Sequence, residues 1–408
     1  MPKTTSVTNS SPLGAIRRGR WPPGGRRLPG GWRLAAILLG GLVLFGLGFA
    51  FSSGPDAGGW SDLPAGVTRL EADQGPAKTP FVLLLESQLP SGAIKVAPDS
   101  DRIVPYFANL AAMALVQSRP AYVRDYLAWY LAHLNRPDRF GLPGTVYDYT
   151  VDPSGSERAT EGYDSADSYA ATFLSLLEAY VESTQDLDFV LTHLEDIALV
   201  ASVIPRLQDT DGLVWATASR REKFLMDNAE NYRGLCDYAE VLTLVGLADA
   251  AAAARATAEG IKEGVETRLW DSSRGNYAWG IYTYWLGGFR LGESRRESSW
   301  RRWYPDTTAQ VFPVICGLLD PSDSRAVSLY DNLNTWHPGW VSQTKRDPHP
   351  WSVLGYAAAV MGDTERATAF VRATSAAYLA DPGPYSNLSW ELSWHLRTLR
   401  MIGQGGDI

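Results

Sequence analysis

The chain has 408 residues, 45% of them hydrophobic, which is enough to bury a large core and too apolar for a disordered body. Its first 33 residues hold Lys3, Arg17, Arg18, Arg20, Arg26, Arg27 and Arg33 and no acid, so the rest carries 30 Lys and Arg against 45 Asp and Glu, a net −15. A body that acidic repels nucleic acid and anionic lipid headgroups, which excludes DNA or RNA as the partner.

In chain order, residues 1–33 read as a solvated basic tail. "LAAILLGGLVLFGLGFAF", residues 34–51, is uncharged, mostly apolar and about the minimum length for a bilayer span. The positive charges before it and none after it until Arg69 put the N-terminus in the cytoplasm and the main domain outside the cell membrane. A retained single-pass signal anchor is the expectation and a cleaved signal peptide the competitor, since "AFSSGPDAGG" offers no clean small-x-small cleavage site. The Gly-, Pro- and Asp-rich stretch 52–80 reads as a linker to a folded domain over 81–408.

Helical periodicity dominates that domain, and its helices come in closely joined pairs. They fall near 102–118 and 120–136, then at "DSYAATFLSLLEAYVEST" with "DFVLTHLEDIALVASVIPRLQ" and "NAENYRGLCDYAEVLTLVG" with "ADAAAAARATAEGIKEGVETRLW". "DTTAQVFPVICGLL" with "DSRAVSLYDNLNTW", "PWSVLGYAAAVMG" with "TERATAFVRATSAAYLA", and "NLSWELSWHLRTLRM" complete eleven, with long loops between most pairs. A recurring hairpin of this kind predicts an all-α (α/α)6 toroid, whose twelfth helix "TPFVLLLESQLP" would supply.

The segments that open the odd helices each pair an acid with an aromatic: "APDSDRIVPYFAN", "GYDSADSYA", "LMDNAENYRG", "RRWYPDTTA", "KRDPHPWS" and "DPGPYSNLSWE". Parallel inner helices would gather all six at one end of a central cavity. Asp is also a preferred N-cap, which accounts for Asp164, and "DNAE" makes Asp227 and Glu230 a capping box in form. Asp167 is less well explained by capping.

Thirteen of fifteen tryptophans lie beyond residue 51, many in loops, where flat rings with a polar edge suit sugar faces. Cys236 and Cys316 sit in apolar helical patterns, as core thiols or as one disulfide outside the cell. His133, His193, His337, His349 and His395 show no ligand spacing, so neither a metal nor another cofactor is indicated. An acid-rich, aromatic-rich cavity suits glycosidic cleavage, which needs a proton donor and a carboxylate base or nucleophile.

The motifs "ESQLPSGAI", "IVPYFANLAAMAL", "YDSADSYAATF", "WYPDTTAQVFPVI" and "HPWSVLGYAAAVMGD" occur in an order that resembles the six-hairpin glycosidase superfamily over about residues 80–403. That (α/α)6-barrel group includes glucoamylases, unsaturated glucuronyl hydrolases and bacterial endoglucanases. The resemblance implies acid–base hydrolysis of a polysaccharide or oligosaccharide. It matches the glucuronyl hydrolases' helix-opening aspartate to Asp164 or Asp167, and the endoglucanases' early glutamic acid to Glu86.

The expected catalytic residues are Asp167, Asp164, Asp227, Glu230 and Glu86. Tyr163, Tyr232, Arg233, Trp303, Tyr304, Asp306, Trp351 and Trp390 are expected to bind substrate. The partners would be a carbohydrate, the membrane, and polysaccharide-synthesis machinery in that membrane. The alternatives are a non-catalytic glycan-binding or assembly protein and, through Arg233 and Tyr232, a polysaccharide lyase.

Overall fold

A computed structural model of the chain describes residues 78–286, 289–380 and 387–403, without the side chains of 376–380. These residues fall in one compact unit. The tail, the apolar segment 34–51 and nearly all of the linker lie outside them. Among the described residues no helix is long and apolar enough to cross a membrane.

The first helices are α1 (Pro80–Glu86), α2 (Pro105–Met113), α3 (Pro120–Ala132) and α4 (Ala166–Thr184), followed by the short α5 (Leu187–Thr192), α6 (Leu194–Ala201) and α7 (Val203–Leu207). Then come α8 (Leu225–Leu244), α9 (Ala248–Gly264), α10 (Phe312–Ile315), α11 (Ser324–Trp336), α12 (Ser352–Val360), α13 (Thr364–Ala380) and α14 (Ser389–Met401). α2, α4, α8, α10, α12 and α14 each pack on the next, and α14 packs back on α2, closing an inner ring of six. α3, α5 to α7, α9, α11 and α13 form the outer wall, and α1 packs on α14 as the expected twelfth helix. The domain is an (α/α)6 toroid.

Closeness within the ring comes from small residues. A Cβ on Gly234 of α8 would sit 2.5 Å from the Ala171 carbonyl oxygen of α4, so only glycine lets these helices touch along their backbones. Three residues before Gly234 and four before Ala171 stand Asn231 and Asp167, which the same approach brings together.

Two expected helices are broken. The helix after α4 is split into α5, α6 and α7, with His193 leaving helical dihedrals at φ −109°, ψ 17° and Pro205 lacking an N–H for the last turn. "DTTAQVFPVICGLL" is a π turn at Trp303–Thr307 and a 3-10 turn at Thr308–Val311 before α10, because Pro305 and Pro313 each remove a backbone donor.

Short strands crown the ring in three small sheets. β1 (Arg102–Ile103), β2 (Tyr149–Val151) and β3 (Glu157–Ala159) form one. β4 (Glu222–Phe224) pairs with β7 (Gly280–Leu286) and β7 with β8 (Phe289–Arg296), all antiparallel, while β5 (Trp270–Asp271) and β6 (Asn276–Tyr277) make the third. The expectation of one long loop between "ETRLW" and "DTTAQ", residues 271–305, is corrected here. The alternation of "GIYTYWL" and "FRLGESRR" around Gly287–Gly288 is a hairpin pattern.

Candidate active site

The six inner-helix starts follow one another in a circuit round one end of the ring. Phe107 of α2 stacks on Trp390 of α14 at 3.8 Å, and Glu391 beside it takes the Ser352 backbone N–H of α12 and pairs with His349 at 3.0 Å. Trp351 lies 4.9 Å from Tyr304, and Trp351 and Trp303 both donate to the Asp347 carboxylate. Burial pushes the Tyr304 phenol well above its ordinary range, and Asp227 and Asp164 are near enough to add to that. Asp227 of α8 meets α4 at Ser165, and Tyr169 of α4 stacks at 6.2 Å on Tyr106 of α2.

Within this circuit the acids concentrate at α4 and α8. Asp167 is buried, with Oδ1 2.7 Å from Ser165 Oγ and Oδ2 2.7 Å from Asn231 Nδ2. Glu230 is buried and accepts the Tyr106 hydroxyl at 2.7 Å. Asp227 is half-buried, with Oδ2 2.6 Å from the same Ser165 Oγ. Asp164 keeps 47% of its side chain exposed and is held by Arg220 at 2.6 Å.

Ser165 fixes where one proton sits. Its hydroxyl has a single hydrogen and lies within 2.7 Å of two carboxyl oxygens, and two bare acceptors at that distance would repel. One carboxyl must bring its own proton. Burial first, then the neighbouring acids Asp167 and Glu230, push Asp227 well above the usual carboxylate range. Asp167, also raised by burial, is brought back to about 6 by its donors Ser165 and Asn231. Asp227 therefore donates to Ser165, and Ser165 donates to the Asp167 carboxylate.

Burial likewise raises Glu230 to about 8, against the pull of Tyr106, so it is neutral at pH 7. Asp148, 2.9 Å from the Tyr169 hydroxyl, is raised by burial to about 7. Among the described residues no cation neutralises this group from inside. Arg220 reaches Asp164 at its rim, and Arg102 lies 3.9 Å from Asp148.

Several sequence expectations are corrected. Ser165, not Asp164, is the N-cap of α4, and it makes no side-chain cap bond. Asp227 and Glu230 form no capping box, since β4 runs straight into α8 with Phe224 at the cap position. Glu86 ends α1 on the surface, paired with Lys78 at 2.7 Å. Tyr232 lies under Lys262 of α9, and Arg233 pairs with Asp237 at 2.8 Å, so neither belongs to the acid cluster.

Asp306 is turned into its own loop, where it accepts the Ser299 N–H at 2.8 Å. Tyr163 donates to Asp138 at 2.6 Å and stacks on Tyr147, beside the cluster. Trp303, Tyr304, Trp351 and Trp390 stand in the circuit. Cys236 and Cys316 are both free thiols.

Sequence reading missed Ser165, Asn231, Tyr106, Asp148 and Arg220. Asn231 follows Asp227 by four residues, one helical turn, which was a usable signal. Ser165 and Arg220 are loop residues brought in by folding, and no spacing announces them.

One further acid group could hold a cation. Asp209, Asp211 and Glu293 converge, but the buried Lys223 ammonium stands among them at 2.6, 2.9 and 3.4 Å, and Arg268 and Arg290 close the outside.

No protein-family model and no curated protein matches the sequence. Solved structures match in shape. A rhamnosidase from Klebsiella oxytoca with rhamnose bound superposes with a TM-score of 0.55 at 17% identity, over 76% of this chain and 60% of that one. A wild-type glycosidase gives 0.53 at 14%, over 80% and 95%. The GH63 mannosylglycerate hydrolase from Thermus thermophilus in complex with glucose gives 0.53 at 12%, over 80% and 98%. The chain thus spans less than two thirds of the rhamnosidase and nearly the whole of the other two, and it shares with them the six-hairpin fold.

Proposed function

On that shared six-hairpin glycosidase fold, we propose that the chain is a glycoside hydrolase whose proton donor is Asp227. The observation that carries this reading is the Asp227–Ser165–Asp167 bridge. It holds one carboxyl protonated and partly exposed at the inner-helix starts, which is the state a leaving oxygen needs. Asp164, the exposed carboxylate beside it, is the base or nucleophile, and its ion pair with Arg220 orients it. Asp167 and Glu230 are too buried to reach a sugar and act through Asp227. This reverses the sequence-level order, in which Asp167 came first. Trp303, Tyr304, Trp351 and Trp390 supply ring faces for the substrate.

The substrate is an oligosaccharide or polysaccharide, in this reading an envelope or secreted glycan. The apolar segment 34–51 would hold the domain on the outer side of the cell membrane, near the machinery that makes such a polymer; that placement rests on the sequence alone. A second reading, a non-catalytic glycan-binding or assembly protein, is favoured by the engagement of Asp164 with Arg220. The lyase reading loses its support, because Arg233 and Tyr232 are occupied elsewhere.

Incubating the full-length protein with a glycan panel and measuring reducing ends decides between the first two. Release by the wild type that Asp227→Asn abolishes supports the hydrolase. Binding without release, unchanged in Asp227→Asn, supports the binder.

A further inference from the structure

Resting on the hydrolase reading, we propose that Asp347 is a positioning residue for the substrate: it locks Trp303 and Trp351 so that the Trp303 and Tyr304 rings form a fixed sugar platform beside Asp227 and Asp164. A single carboxylate oxygen does this. Asp347 Oδ2 accepts the Trp351 indole N–H at 2.7 Å and that of Trp303, 44 residues earlier, at 2.9 Å. Oδ1 accepts the His349 backbone N–H at 2.9 Å and sets the local turn. None of these donors carries a charge, and the neighbouring Lys345 turns its amine to the Gln343 side chain at 2.9 Å. The carboxylate therefore aims rings rather than serving an ion pair.

Two indoles meeting on one oxygen have a fixed mutual angle. Trp303 and Trp351 stand edge to face, 6.1 Å apart at 89°. Trp351 is only 6% exposed and acts mainly as a support, lying 4.9 Å from Tyr304. Trp303 and Tyr304 are half-buried, which leaves ring surface for a ligand. Tyr304 is in turn near enough to Asp227 and Asp164 for those acids to act on its phenol. A chain of contacts thus runs from Asp347 through Trp351 and Tyr304 to the acid pair.

The backbone shows that this arrangement is imposed. Trp351 lies in the left-handed region at φ 60°, ψ 50°, and Gln343 at φ 57°, conformations that residues other than glycine rarely adopt. Such residues persist where their surroundings over-determine them, and they gather at functional sites. The Gln343 amide donates to the Trp340 and Pro350 carbonyls at 2.7 and 3.3 Å, while Asp347 holds Trp351. Pro348 and Pro350 stiffen the stretch between them. A loop that only joined α11 to α12 would need neither the strain nor a second indole from 44 residues away. Aromatic faces grip a sugar in the ground state and the transition state alike, so loss of the platform weakens binding rather than chemistry.

Steady-state kinetics and glycan affinity of the full-length protein test this, with mannan, β-glucan and polygalacturonate as probes and the one cleaved fastest as the substrate. Asp347→Ala should raise KM and the dissociation constant together by about tenfold, with kcat kept within about twofold. Asp347→Asn, which keeps one acceptor oxygen, should raise KM only about threefold. Trp303→Phe keeps a ring but has no N–H to donate, so adding Asp347→Ala to it should raise KM less than Asp347→Ala does alone. Asp331→Ala, exposed on α11, should leave all of these unchanged. Melting curves accompany each variant, and if Asp347→Ala fails to fold, the KM rise in Asp347→Asn at constant kcat takes its place. A fall in kcat at unchanged KM, or no change in either, overturns the positioning role and leaves the hydrolase standing. A wild type that binds a probe without cleaving it, with affinity weakened in Asp347→Ala, overturns the hydrolase and supports the platform. A wild type that neither binds nor cleaves any probe overturns both.

Discussion

Two acid clusters flank β4, and they are built on opposite principles. On one side Asp209, Asp211 and Glu293 surround the fully buried Lys223, with Arg268 and Arg290 outside, so each carboxylate has a cation at ion-pair distance. There burial works to raise Asp209, but Lys223 outweighs it and the acid stays below its ordinary range. On the other side, four residues along the chain from Lys223, Asp227 joins Asp167 and Glu230 with only hydroxyl and amide partners, and all three are pushed up. An acid cluster with a cation at its centre is a brace. One without a cation stores protons at neutral pH, which a fold has little structural reason to keep.

The sharpest break in that comparison comes from neutralising one member of each cluster. Asp227→Asn removes the donor and should lower kcat by about 10²- to 10⁴-fold while the melting temperature holds or rises, since a raised acid is replaced by a neutral isostere. Lys223→Met should do the reverse. Chemical denaturation is expected to show a loss of about 3–5 kcal/mol, because three carboxylates lose their central partner, while turnover per folded molecule is retained. If the two substitutions exchanged these effects, the assignment of brace and reactive cluster would be wrong.

Glu230→Gln sharpens the contrast through pH. Its carboxyl rises from 4.5 to about 8 in the folded state, so the group's stabilising contribution is complete below about 4.5 and is lost as pH climbs toward 8. The amide keeps an acceptor for Tyr106 and carries no charge to bury. Denaturation at pH 5 should therefore show little difference from wild type, and at pH 9 a gain of about 2–4 kcal/mol for the variant. A gain equal at both pH values would mean that Glu230 does not titrate in this window.

The ring was legible in the sequence because hairpin periodicity and short joins are local signals, and the gathering of acid and aromatic residues at the odd helix starts follows once those helices are parallel. What each acid does was not legible. Asp164 and Asp167 look alike in "GYDSADSYA", yet one is pinned at the rim by Arg220, 56 positions on, and the other is sealed between Ser165 and Asn231. Glu86 was the nearest early glutamate in the chain although its surrounding residues differ from the endoglucanase motif, and Lys78, eight residues before it, claims it at the surface. A repeated turn was also missed. Gln88 bonds the Gly92 carbonyl and Gln208 bonds the Gly212 carbonyl, each before a strand-like step into an inner helix, although "QLPSGAI" and "QDTDGLV" share only the Gln and the Gly. The pairing of Gln and Gly at that spacing was the available signal.

The smallest expected effect bears on the bridge itself. The Ser165 hydroxyl can turn its hydrogen to whichever of the two carboxyls is ionised, and so lowers the proton affinity of both Asp167 and Asp227. Ser165→Ala removes that donor, and both acids should hold their protons more tightly. A donor that must be protonated to act then stays active to higher pH, so the alkaline limb of the kcat profile should move up by about one pH unit, worth about 1.4 kcal/mol. The rate at neutral pH should fall several-fold, because a weaker acid transfers its proton less readily to the leaving oxygen. Ser165→Thr keeps the hydroxyl and should restore the wild-type limb, which a purely steric role for position 165 would not require. A limb that stays in place in Ser165→Ala would mean that Asp227 and Asp167 do not share a proton through this residue, and the contrast between the two clusters would then rest on their missing cations alone.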